Sequence, residues 1–98
     1  MSMNFKELQQ QDRRLVLLRS LVDMGGFEAN ESILEQCLGM YGHACGRDVV
    51  RTELAWLAEQ DLVTVRDVCG CMVATLTGRG NDVARGVVIV PGIKRPRP

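Results

Sequence analysis

Arg47, Asp48, Arg51 and Thr52 open a segment whose aliphatic residues Val50, Leu54 and Leu57 recur every three or four positions. That spacing stacks the aliphatic side chains on one face of a helix and turns the polar ones outward, with Asp48, Thr52 and Glu59 in water. An outward arginine presents a planar fork that meets two acceptors at once, guanine O6 and N7 or a pair of phosphate oxygens, where lysine offers a point charge. The chemistry on offer is therefore hydrogen bonding and charge pairing to a nucleic acid, with base-edge and phosphate contacts near the start of the helix. The same arginines would equally serve a solvated face, paired with Asp48 or Glu53 nearby.

The other chemistry-bearing residues are sparse. Cys37, Cys45, Cys69 and Cys71 fall on different predicted elements, so a shared tetrahedral metal site is not expected, and His43 with Cys45 is too small a set on its own. Cys37 has the spacing of a buried thiol, and Cys69-Gly70-Cys71 leaves a redox role open. His43 is the single imidazole, there is no nucleophile motif and no phosphate-cradling glycine loop, so neither catalysis nor a cofactor is expected.

The elements that hold the candidate helix follow from periodicity and punctuation. A first helix is predicted from about Asp12 to Met24 on the stripe Leu15, Leu18, Leu21 and Val22, stopped by Gly25-Gly26. Asn30 is a suitable N-cap for a second helix, Glu31 to Tyr41, with Ile33, Leu34, Cys37, Leu38 and Tyr41 as its apolar face. Gly42 ends it, and His43 to Gly46 form the short connection of a helix-turn-helix. After the third helix the period changes to two: Leu62 to Val68 reads as a strand, Cys69-Gly70 as a turn, and Cys71 to Leu76 as the return strand. Thr77 can cap a short helix to Gly86. Val87 to Val90 is a continuous apolar run ended by Pro91-Gly92, able to cover the core or to pair at an edge.

The expected fold is thus mainly α with a small β-hairpin, an α+β winged helix-turn-helix. Its predicted divisions are an N-terminal arm or helix extension at 1–11, the winged-helix domain at 12–90 and a basic, proline-rich tail at 91–98. The hairpin supplies Arg66 and the tail supplies Lys94, Arg95 and Arg97, the tail either reaching a minor groove or remaining solvated. Phe5 and Leu8 on the arm, with Trp56 and Val88, are the expected contacts of a homodimer; core-edge packing is the plainer use of Trp56.

Composition bounds these readings. The 98 residues carry 12 basic and 12 acidic side chains, a net charge of zero, so any attraction to double-stranded DNA must come from a patch. No apolar run approaches the roughly 20 residues that span a bilayer, and no hydrophobic signal region opens the chain, so a cytoplasmic location without membrane partners is expected. A neutral chain with Phe5, Trp56, Val87, Val88 and Ile89 as candidate exposed apolar sites would also suit docking to another protein.

Val50, Leu54, Leu57, Leu62 and Val63 resemble the Val-x-x-x-Leu-x-x-Leu-x-x-x-Gly-Leu-Val signature of ArsR- and MarR-like winged-helix regulators, with Asp61 where the family has a left-handed glycine. More of the chain, from Arg13 to Pro98, resembles a family of small proteins from Mu-like phages and prophages. The carrying residues are Arg13-Arg14-Leu15, Asn30-Glu31-Ser32, Arg47-Asp48, Leu54-Ala55-Trp56-Leu57, Val73-Ala74-Thr75-Leu76-Thr77 and the ending Val90 to Pro98. That resemblance implies a prophage origin, a bacterial cytoplasm and a winged-helix, ArsR-like regulator. With the outward arginines the expected function is a DNA-binding transcriptional regulator, the alternative being docking to a phage or host protein or a role in phage assembly.

Overall fold

A computed structural model describes residues 3–97; residues 1, 2 and 98, which complete the predicted arm and tail, lie outside the described residues. Helix α1 (Phe5–Val22) is followed by a single 3-10 turn and strand β1 (Glu28–Asn30). Helices α2 (Glu31–Met40) and α3 (Arg47–Glu59), strands β2 (Val63–Val68) and β3 (Cys71–Leu76), and helix α4 (Gly78–Ala84) complete the order. The strands form one antiparallel sheet in the order β1-β3-β2, with Glu28 opposite Thr75 and Val63 opposite Leu76. The molecule is α+β.

Local signals set most boundaries. Asn30 accepts a hydrogen bond from the Ile33 amide at 2.9 Å and Thr77 accepts one from Gly80 at 3.0 Å, so both expected caps satisfy an otherwise unpaired helix donor. Asp61 has φ 60°, the left-handed geometry expected of the residue that replaces glycine. Around it Leu62 N–H donates to Leu57 C=O at 3.0 Å and Asp61 N–H to Ala58 C=O at 3.0 Å, the paired bonds of a Schellman cap. Cys69 and Gly70 take φ 52° and 81°, both positive, which matches the twist of a tight hairpin turn.

Two elements differ from expectation. Helix α1 begins seven residues earlier than Asp12, at Phe5, because Asn4 caps it through Glu7 N–H at 2.8 Å and the glutamine run is polar but helix-compatible. The predicted arm is therefore its first turns. Strand β1 has three residues, too short to show a period of two, and exists through its pairing with β3.

The core runs between the helices and one face of the sheet. Leu17, Leu18, Leu21, Leu34, Leu38, Val50, Leu54, Leu57 and Leu62 are fully buried. Each such side chain contributes about 1.5–3 kcal/mol relative to exposure. On α2 the buried stripe is narrower than expected: Leu34 and Leu38 face the core, Cys37 is half-buried, and Ile33 and Tyr41 are exposed.

The apolar run after α4 alternates, with Val87 and Ile89 exposed, Val88 half-buried against the core and Val90 buried. The segment beyond it folds back on α1: Ile93 is buried, and Lys94 N–H donates to Gln11 C=O at 3.2 Å. Gly92 is required there. Its φ is 97°, and a Cβ would meet Trp56 Cζ2 at 2.9 Å and Arg14 Nη1 at 3.0 Å.

Candidate nucleic-acid interface

Helix α3 starts at Arg47 after an extended Gly46, and Asp48 in its first turn suits the positive end of the helix dipole. Its seam of Val50, Leu54 and Leu57 is fully buried, so Arg47, Asp48, Arg51 and Thr52 all lie on the outer face. The side chains of Arg47 and Arg51 are 54% and 45% exposed. Thr52 Oγ1 donates to Asp48 C=O at 2.9 Å, which occupies its proton and leaves its lone pairs outward.

Both arginines meet one carboxylate that sequence reasoning did not single out. Glu31, the first residue of α2, is fully buried. Its Oε1 accepts a hydrogen bond from Arg51 Nε at 2.8 Å and lies 3.2 Å from Arg47 Nε, while its Oε2 accepts from the Met72 amide of β3. Arg51 also donates through Nη2 to Gly70 C=O at the hairpin turn, 3.1 Å away. One buried acid thus joins α2, α3 and the hairpin. The hydrogen bonds from Arg51 and Met72 outweigh burial and hold the Glu31 carboxyl below the usual range, and the same contact raises Arg51. Ion pairing of this kind leaves the guanidiniums reachable but largely neutralises them.

Arg66 on β2 is held similarly. It grips Glu28 of β1 with Nη1 at 2.6 Å and Nη2 at 2.9 Å, and Thr75 Oγ1 donates to the same carboxylate at 2.8 Å. These bonds, Arg66 first and Thr75 second, bring Glu28 from 4.5 down to about 2. Because the folded state holds this proton less tightly than the unfolded chain does, Glu28 adds stability above about pH 4.5 that disappears as pH falls toward 2. The depressed Glu31 and Asp12 carboxyls act in the same direction. Thermal melting followed by circular dichroism should therefore be level from neutrality to about pH 5 and decline steeply below it, and Glu28→Gln should flatten the decline. An unchanged decline would assign it to other groups.

Lys94 Nζ lies 3.4 Å from Asp12, whose other oxygen is 2.6 Å from His43 Nε2. Burial pushes Asp12 up, but the His43 hydrogen bond and Lys94 together carry it below its ordinary value. Arg95 and Arg97 are exposed and form no ion pair among the described residues. The structure thus brings Arg47, Asp48, Arg51 and Thr52 together with the hairpin, and places Lys94, Arg95 and Arg97 on the folded-back segment.

A second buried acid organises the opposite side of α3. Glu53 accepts from Arg13 Nη1 and Arg14 Nε, both at 3.1 Å. Arg14 continues to Gly92 C=O at 3.0 Å and lies 3.8 Å from the centroid of the Trp56 ring. Trp56 and Val88 are therefore engaged within the chain, whereas Phe5 and Leu8 are 77% and 51% exposed.

The four thiols are free and sit on separate elements, and among the described residues no group of three His, Cys, Asp or Glu side chains is placed to hold a metal. Burial raises the Cys45 thiol, which lowers its thiolate fraction. No helix among the described residues is long and apolar enough to cross a membrane.

Fold and surface together define a small α+β protein in which a charged helix and the following hairpin form one connected face. The chain belongs to a family of Mu-like phage proteins. It is 61% identical over 88 residues to the uncharacterised protein gp26 of Escherichia phage Mu, covering 90% of this chain and 91% of gp26. It is also 53% identical over 78 residues to an uncharacterised protein of Haemophilus influenzae, covering 79% of this chain and 76% of that protein. No family model and no solved structure matches the chain.

Proposed function

We propose that the chain is a winged-helix DNA-binding protein of a Mu-like phage or prophage, acting in the bacterial cytoplasm as a transcriptional regulator. The observation that carries this reading is Arg51, which bridges Glu31 on α2 and the Gly70 carbonyl at the hairpin turn. It ties the outer face of α3 to the hairpin turn. In a winged helix α3 would enter the major groove, with Arg47 and Arg51 toward base edges or phosphates and Arg66 on the flanking backbone. Phe5 and Leu8, exposed at the start of α1, supply an apolar contact for a homodimer, which would present its two helices about 34 Å apart.

A second reading, docking to a phage or host protein, is favoured by one observation: Arg47, Arg51 and Arg66 each already has a carboxylate partner. Fluorescence anisotropy on a short duplex of arbitrary sequence separates the two. DNA binding predicts affinity that falls steeply with salt, and a slope in log K against log salt reduced by about one in the Arg47→Ala/Arg51→Ala variant, since Glu31 already offsets one of the two charges. No retention even at low salt would remove the DNA reading in favour of protein docking.

A further inference from the structure

Four of the six cations that no carboxylate holds among the described residues are gathered elsewhere, Lys6 and Arg79 lying apart from them. Arg19 near the end of α1, Arg85 at the end of α4, and Arg95 and Arg97 on the C-terminal segment are all exposed and outside every ion pair among the described residues. Arg19, Arg85 and Arg97 line one concavity, with Asp23 as the acid on its wall, and Arg85, Arg95 and Arg97 line the adjoining one. The segment that carries Arg95 and Arg97 is fixed at its start. Ile93 is buried, Gly92 C=O accepts from Arg14, Lys94 pairs with Asp12, and Pro96 covers Gly86 so closely that a Cβ there would lie 3.2 Å from Pro96 Cγ. What reads in sequence as a loose basic tail is, in the fold, one wall of an arginine cleft.

We propose that this cleft binds backbone phosphates of duplex DNA, a contact additional to that of α3; the inference rests on the DNA-binding reading given above. The ligand class follows from guanidinium geometry, since parallel N–H donors match phosphate oxygens bidentately. The need for it follows from charge. The chain is neutral, and its α3 and hairpin arginines are matched to Glu31, Glu35 and Glu28, so counterion release on DNA must come largely from cations without such partners.

The test uses the whole chain and the same arbitrary duplex. Arg85→Ala/Arg97→Ala should lower the salt slope by about two, with an unchanged melting temperature, while Arg85→Lys/Arg97→Lys should retain most of the slope. On the parent protein, added duplex should shift the Nε–Hε resonances of Arg19, Arg85, Arg95 and Arg97, a readout that needs no substitution. If Arg85→Ala/Arg97→Ala binds as the parent does and these resonances stay fixed, while Arg47→Ala/Arg51→Ala loses affinity, the cleft is overturned and the α3 reading stands. If the cleft variant alone loses affinity, the cleft is supported and the α3 reading is overturned. Absence of any binding by the parent at low salt overturns both.

Discussion

Glu53→Gln should lower the melting temperature by more than about 12 °C. The reason is arithmetic of charge in a small dry space. The Glu53 side chain is 2% exposed, and its two oxygens each take one guanidinium, Arg13 at 3.1 Å and Arg14 at 3.1 Å. The amide keeps the volume but not the charge, and it turns an N–H₂ toward a cation. Removing one partner of a buried ion pair costs about 3–5 kcal/mol, because the remaining charge is left uncompensated. For a domain of this size each kcal/mol moves the midpoint by about 4–8 °C.

Whole-domain stabilities are about 5–15 kcal/mol, so such a loss would leave a substantial part of the population unfolded on mild warming. The damage would spread along a defined path. Arg14 holds Gly92 C=O and faces Trp56, so the folded-back segment should loosen with it. Urea denaturation of the parent and variant measures the loss, and hydrogen exchange at Ile93 and Lys94 reports the spread. A midpoint within about 2 °C of the parent would show that water already screens the cluster.

The parts of this protein that could be read from sequence are the ones decided by neighbours in the chain. The Asn30 and Thr77 caps act over three residues, the Cys69-Gly70 turn over two, and the α3 seam needs only its own period. The left-handed backbone of Asp61 was legible through the resemblance to regulators that carry glycine there. The outer face of α3 followed from the same seam.

What decides the character of that face did not, because its partners arrive from far away. Glu31 reaches Arg51 across 20 positions and Met72 across 41, and Glu53 reaches Arg14 across 39. In sequence Glu31 reads only as the residue after the Asn30 cap, the first of the second helix. A fully buried glutamate whose partners are guanidiniums on another helix has no local signature, and the tail was illegible for the same reason: Arg14 and Gly92 are 78 positions apart. Strand β1 belongs with these, since its three residues are extended through pairing with β3.

Glu31→Gln is the substitution that separates charge from position at the proposed interface, and it should strengthen binding to an arbitrary duplex several-fold while lowering thermal stability. Gln can still accept from the Met72 amide, so the hairpin keeps its tie to α2, but Arg47 and Arg51 lose the negative charge they share. Non-specific association follows the number of cations free to displace counterions from phosphate, so the salt slope should steepen by about one.

Stability should fall for the complementary reason, that a carboxylate fully enclosed by donors is replaced by a group that both donates and accepts. The two effects have opposite signs, so loss of fold cannot imitate the expected gain in binding. A double-mutant cycle closes the argument: on an Arg47→Ala/Arg51→Ala background the gain should vanish, because the charges that Glu31 neutralises are gone. Weaker binding at an unchanged salt slope would mean that Glu31 serves DNA by orienting the arginines, and that its charge is no brake on them.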